Sequence, residues 1–260
     1  MNSILSSWKL AYYDSRARYS KTKLGELWIS LSILFSSVIL SSVYGGLFGS
    51  EVYPGVSFFS YISLGLVFWN LLSECINRGS TLSQSITSKL LNTNDSIFFL
   101  VLRSYFYLLQ SFIISLSSIS LLLLFTTKQF TVSSLIYSFP AIIIFTIFSL
   151  LIFLVFSILS FVLKDLAELS PVLTTLIFLA SPILYPASRL SETIFLKINF
   201  FYVFIGFARD SLLSSNYQNT PHYLSSPIGS LLILLFFILL IYFLRSITIK
   251  HRFFFTIRAE

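Results

Sequence analysis

Residues 14–50 read DSRARYSKTKLGELWISLSILFSSVILSSVYGGLFGS. Four basic residues, Arg16, Arg18, Lys21 and Lys23, crowd into eight positions. The 24 positions from Leu27 to Ser50 then carry no charge at all. A helix needs about 20 apolar residues to cross a bilayer. The stretch therefore reads as a membrane span with a cationic threshold.

The rest of the chain repeats this pattern. Of 260 residues, 56% are hydrophobic and 10% charged, and the mean hydropathy is +0.88. Soluble domains carry about 25% charged residues, so too little polar surface is present to coat a water-soluble globule. Uncharged gaps of 22 residues (Glu51 to Glu74), 24 (Arg103 to Lys128), 35 (Lys128 to Lys164), 20 (Glu168 to Arg189) and 22 (His222 to Arg245) follow the first. They predict six spans, at about 28–49, 57–77, 104–126, 137–163, 169–185 and 226–244, with Pro140 near the outer end of the fourth. The expected fold is an all-α integral membrane protein, one domain over residues 1–260.

Charge placement orients it. With both termini in the cytoplasm, the inner segments hold 13 of the 17 Lys and Arg residues and the outer segments Lys128, Arg189, Lys197 and Arg209. The positive-inside rule favours that orientation. The net charge of +7 is thus topology information, and no nucleic-acid partner is expected. The N-terminus has no short apolar run followed by a small-residue cleavage site, so no signal peptide is expected. Cys75 is the single cysteine and reads as a packing residue.

Residues 3–20 do not span. Ile4, Leu5, Trp8, Ala11, Tyr12, Ser15 and Tyr19 share one arc of a helical wheel, with Lys9, Asp14, Arg16, Arg18 and Lys21 outside it. This predicts an amphipathic helix lying in the cytoplasmic interface. Residues 187–224 are too polar to span and too apolar for a simple loop. Phe195, Ile198, Phe201, Tyr202 and Ile205 recur at helical spacing, which predicts a re-entrant helical hairpin on the outer side, before the last span. The Ser/Thr/Asn-rich loop at 79–102 contains a short apolar face of Ile86, Leu90 and Leu91.

Catalytic motifs are missing. No phosphate loop, metalloprotease or serine-hydrolase signature occurs. His222 and His251 fall on opposite sides of the membrane, so no metal site is expected. Charge does enter the second span, where Asn70, Glu74, Asn77 and Arg78 share a face and Glu74–Arg78 has the favourable i,i+4 order. That group reads either as a structural ion pair or as a polar gate. The aromatic residues Tyr44, Phe48, Phe58, Phe59, Tyr61, Phe68, Trp69, Phe178 and Tyr185 sit in spans one, two and five. They read either as packing or as a stacking surface for sugars.

Three segments carry a resemblance. DSRARYSKTKLGELW (14–28) contains Arg18, Tyr19, Leu24, Gly25, Leu27 and Trp28, with Thr22 where serine is common. LGLVFWNLLSECINRGS (64–80) and KDLAELSPVLTTLIFLASPILYP (164–186), the latter ending on Ser181, Pro182, Tyr185 and Pro186, follow in order. The sequence resembles the membrane permeases of polysaccharide-exporting ATP-binding-cassette transporters, the O-antigen, capsule and teichoic-acid exporters. The resemblance implies a homodimer in the bacterial inner membrane with two separate ATPase subunits, which would hold ATP and Mg, and no cofactor in this chain. It implies a glycan on a polyprenyl pyrophosphate lipid, moved through an aromatic-lined channel between the two permeases. It further implies an entrance for the pyrophosphate at Arg16 and Arg18. ATPase coupling would fall to Ser85, Ile86, Lys89, Leu90, Asn94, Asp95, Lys164, Asp165 and Glu168. An exporter of drugs or small lipids, an enzyme of lipid-linked sugar metabolism and a membrane scaffold are the alternatives.

Overall fold

The computed structural model describes residues 2–53, 55–85, 97–127, 130–185, 199–213, 234–236 and 238–242. These residues are mostly helical. Four helices are long and apolar enough to cross a membrane: α2 (Leu27–Phe48), α3 (Phe58–Ser80), α4 (Ile97–Thr126, apolar from Phe99) and α5 (Val132–Val162). An N-terminal helix, α1 (Asn2–Tyr19), precedes them, and α6 (Leu166–Ala180) and α7 (Phe200–Leu212) follow.

The elements start and stop for local reasons. The turn between α1 and α2 uses Gly25 at φ +58°, a left-handed conformation that costs glycine nothing. The Ser15 hydroxyl donates to the Glu26 carboxylate across this turn. Ser57 caps α3 by accepting from the Ser60 amide. Thr131 and Ser134 form a reciprocal capping box at the start of α5, so that helix begins about a turn and a half before the expected 137 and holds Pro140 in its interior. Buried serines inside the spans donate to carbonyls one turn back, as Ser37 to Ile33 (2.7 Å), Ser80 to Ile76 (2.7 Å) and Ser157 to Phe153 (2.6 Å). Their hydroxyls therefore need no water in an apolar medium.

The connections and the later segments add detail to the expected spans. The α2–α3 connection is a small antiparallel hairpin, β1 (Glu51–Tyr53) with β2 (Val56–Ser57), tied by the Gly55 amide donating to Glu51 Oε2 at 2.7 Å. The segment expected to span at 169–185 holds a helix of only 15 residues, about 22 Å long against a hydrocarbon core of about 30 Å. It stops at Ser181, whose extended backbone (ψ 134°) is what a residue before proline prefers. Of the expected hairpin at 187–224 only α7 and its flanking residues are described, and of the expected span at 226–244 only 234–236 and 238–242, which are helical.

α3 is the centre. Sixteen of its 23 residues are buried, against three of the 22 in α2. It packs most extensively on α5, and also on α2, α4, α6 and α7. Phe68 sits between Phe112 of α4 (5.7 Å) and Phe145 of α5 (4.8 Å). α1 lies along α4. Its fully buried residues are Ser7, Ala11 and Ser15, one small residue per turn, which lets the two helices approach closely; Ile4, Leu5, Trp8 and Tyr12 of the expected apolar arc flank that seam and are exposed.

Candidate functional site

Two polar constellations stand out, at opposite ends of α3. The first is built where α1 meets the bundle. Asp14 receives both Nε (2.7 Å) and Nη2 (2.6 Å) of Arg103, Gln110 donates to the Trp8 carbonyl (3.1 Å), and the Trp8 and Phe106 rings meet edge to face at 5.5 Å. These contacts fix α1 against α4 and carry Arg18 to the mouth of a cleft. Nη1 of Arg18 donates to the Tyr107 hydroxyl at 2.8 Å. That hydrogen bond raises the pKa of the guanidinium, which stays charged.

α3 supplies the opposite wall. Asn70, Glu74 and Arg78 are one turn apart, and all three line the cleft. Arg78 Nε donates to Glu74 Oε2 at 3.0 Å, and its guanidinium lies over the Tyr107 ring at 4.3 Å. Tyr107 is thus contacted by two cations, one at its face and one at its hydroxyl. Ile29 and Ile33 of α2, Leu71 of α3 and Leu108 and Phe112 of α4 complete an apolar side. The cleft is partly open and has a volume of about 220 Å³. Among its lining residues two full positive charges stand with one carboxylate, a charge balance suited to an anion.

The second constellation is buried. Arg209 and Asp210, in α7, are 0% and 7% exposed at their side chains and pair through Nε and Oδ1 at 3.2 Å. The guanidinium stacks on Tyr61 of α3 at 3.6 Å, and its Nη1 reaches the Pro182 carbonyl at 3.5 Å. Tyr61 itself donates toward the Pro182 and Tyr185 carbonyls, both at 3.2 Å. One cation thus joins α7, α3 and the end of α6. Arg209 Nη2 and the Tyr202 hydroxyl are buried with no hydrogen-bond partner.

The structure brings Arg18 together with Asn70, Glu74 and Arg78, residues assigned to separate roles in the sequence. Arg16 is not part of that cleft: it is exposed, with its guanidinium 5.4 Å from the Tyr12 ring. Tyr44, Phe48 and Phe58 form a stack, at 6.0 and 6.4 Å, and Trp69 meets Phe178 at 5.5 Å. Phe59 and Tyr185 are half-buried; Phe58, Tyr61 and Phe68 are enclosed by their own chain. Lys164, Asp165 and Glu168 are exposed at the α5–α6 turn, at the same end of the bundle as Arg78. Ser85 is exposed too, two residues after Ser83, which is hydrogen-bonded to Ser160 of α5. Ile86, Lys89, Leu90, Asn94 and Asp95 lie outside the described residues.

Sequence reasoning missed Tyr107, the Asp14–Arg103 pair and the Arg209–Asp210 cluster. The last had a signal: an adjacent Arg and Asp in the apolar helical run FFYVFIGFARDSL. Charge in such a segment is costly and marks a specific role. No group of His, Cys, Asp and Glu able to hold a metal occurs among the described residues. Comparison of the sequence with protein-family models and with curated proteins gives no match.

Proposed function

We propose that the chain is the membrane permease of an ATP-driven exporter of lipid-linked polysaccharide in a bacterial inner membrane. In this reading six spans and an outer re-entrant hairpin form each copy, both termini are cytoplasmic, and two copies enclose the glycan path. Two ATPase subunits dock at the cytoplasmic end, against the α5–α6 turn and the segment that follows α3. The observation that supports the reading is the cleft. It lies where an interface helix meets a bundle of apolar helices, with cations on one side and apolar residues on the other, as an amphiphile with an anionic head requires. A chain with no nucleotide-binding motif of its own is consistent with ATP being hydrolysed by a partner.

The test is a purified complex in nanodiscs. An ATP-binding-cassette subunit co-purifies with the chain, and its ATP hydrolysis rises when polyprenyl-pyrophosphate-linked glycan is added. Arg18→Gln lowers that stimulation by about tenfold, the scale of one charge-assisted hydrogen bond. Stimulation by drugs or small lipids alone would replace the glycan with another cargo. Conversion of lipid-linked sugar by the chain without an ATPase would make it an enzyme.

Orientation is tested separately. Cys75 is fully buried, so the native chain gives little background with an impermeant maleimide. Ser50→Cys, beside the β hairpin, labels in intact cells, whereas Ser20→Cys, after α1, labels only once the membrane is opened. Labelling of Ser20→Cys from outside would invert the entrance and the exit.

A further inference from the structure

We propose that the cleft between α1, α3 and α4 binds the phosphate head of a membrane lipid through Arg18 and Arg78, and that Glu74 is a resident counter-ion which the phosphate displaces from Arg78. The proposal rests on the same cleft as the transport reading and needs neither ATP nor glycan.

The geometry assigns the roles. Arg18 uses Nη1 on a neutral hydroxyl, that of Tyr107, and its side chain is exposed. Among the described residues it forms no salt bridge, and Glu74 acts on it only at longer range, so its charge is open to an incoming anion. Arg78 is held by Glu74 through Nε alone, at 3.0 Å. A bidentate guanidinium–phosphate contact supplies two parallel charge-assisted bonds where that one stands. The Glu74 and Arg78 side chains are 46% and 34% exposed, and an ion pair that solvated is weak and exchangeable. Tyr107 fixes both cations: its hydroxyl takes Arg18 and its face takes Arg78. An anion that pulled Nε of Arg78 from Glu74 would leave the carboxylate half-exposed to water, not stranded in hydrocarbon.

Two features select a lipid over a free ion. Beyond the charged groups the cleft is lined by Ile29, Ile33, Leu71 and Phe112 together with the hydroxyls of Ser32 and Ser111, which offers an apolar strip beside neutral donors. Ser32 of the cleft stands one and two helical turns before Phe35 and Ile39 of α2, apolar residues that are 57% and 64% exposed. A phosphate at Arg18 and Arg78 can therefore trail its hydrocarbon along α2. A choline-capped diester would place a third cation beside two guanidiniums and is disfavoured.

The experiment is equilibrium binding to the full-length protein in neutral detergent, by titration calorimetry, with short-chain phosphatidate, short-chain phosphatidylcholine and inorganic phosphate as three probes. Phosphatidate binds more tightly than either of the others. Arg18→Gln and Arg78→Gln each weaken it by about tenfold, and Arg78→Lys weakens it less. Glu74→Gln strengthens it by about threefold or more, because the competing anion is gone; a gain of affinity cannot come from misfolding. Equal binding of phosphatidate and phosphatidylcholine overturns the phosphate assignment. Inorganic phosphate binding as tightly as phosphatidate overturns the lipid. Unchanged or weaker binding in Glu74→Gln overturns the exchange. Phosphatidate binding as proposed, with no glycan-stimulated ATP hydrolysis in the complex, leaves this site standing and removes the exporter.

Discussion

Asp210→Ala is expected to destabilise the folded chain by about 3–5 kcal/mol, the cost of stranding a buried charge. Arg209 has no exposed side-chain surface and its carboxylate partner is 7% exposed. With Asp210 removed, the guanidinium keeps the Tyr61 ring at 3.6 Å and a long contact to the Pro182 carbonyl, neither of which neutralises its charge. Nη2, already without a hydrogen-bond partner, belongs to the same guanidinium and gains nothing from the loss. The strain falls on α7, ten of whose thirteen residues are buried. The measurement is thermal or denaturant unfolding in detergent, with limited proteolysis reporting release of α7. The double variant Arg209→Met with Asp210→Leu is expected to lose much less, because replacing both charges removes the desolvation cost together with the pair. A single variant as stable as the native chain, or a double variant worse than the single, would show that the pair does not hold α7.

The second large effect lies at the other end of α3. A Cβ built on Gly79 would stand 2.9 Å from Phe156 Cβ, 3.1 Å from the Phe153 carbonyl oxygen and 3.3 Å from the Ser157 amide. Two of these are backbone atoms of α5 and cannot rotate aside. Gly79→Ala must separate α3 from α5, its principal neighbour. Alanine in a helix gains about 1 kcal/mol over glycine in propensity, while overpacking costs about 1–3 kcal/mol. Gly79→Val adds two further carbons with less of the propensity gain, and is expected to lower the unfolding midpoint clearly below that of Gly79→Ala. Gly46→Ala is the control. Among the described residues nothing lies within 4 Å of its Cβ position, so the propensity gain remains and stability is unchanged or raised. Equal midpoints for Gly79→Val and the native chain would mean that α3 and α5 are not in backbone contact.

The two glycines also show where reading a sequence stops. Gly45 and Gly46, in the uncharged run before Ser50, invite a close helix crossing by their composition, yet no other element among the described residues comes within 4 Å of the Cβ position of either. Gly79 stands in the plainer segment NRGS and forms the tight crossing. A glycine permits close approach, but only the rotation of its helix and the position of a neighbour decide whether approach occurs. The same holds for α1. Hydrophobic patterning identified the helix and its arc, but the buried seam is Ser7, Ala11 and Ser15, because small side chains admit the α4 backbone and the larger aromatics are pushed to the flanks.

What could be read without coordinates follows from one-dimensional physics. Charge avoids hydrocarbon, so uncharged gaps locate α2, α3, α4 and α5, and the i,i+4 spacing of Glu74 and Arg78 foretells their 3.0 Å contact. Proline and capping chemistry set ends more finely than hydropathy did, at Ser181 and Thr131. What needed three dimensions is every contact between residues far apart in the chain. Asp14 with Arg103, Arg18 with Tyr107 and Arg209 beneath Tyr61 depend on how far each helix is turned about its axis and which neighbour it meets. Burial energy is nearly indifferent to which apolar faces meet, so composition leaves those rotations open. Close packing of particular side chains, and the need to pair each buried charge, selects among them.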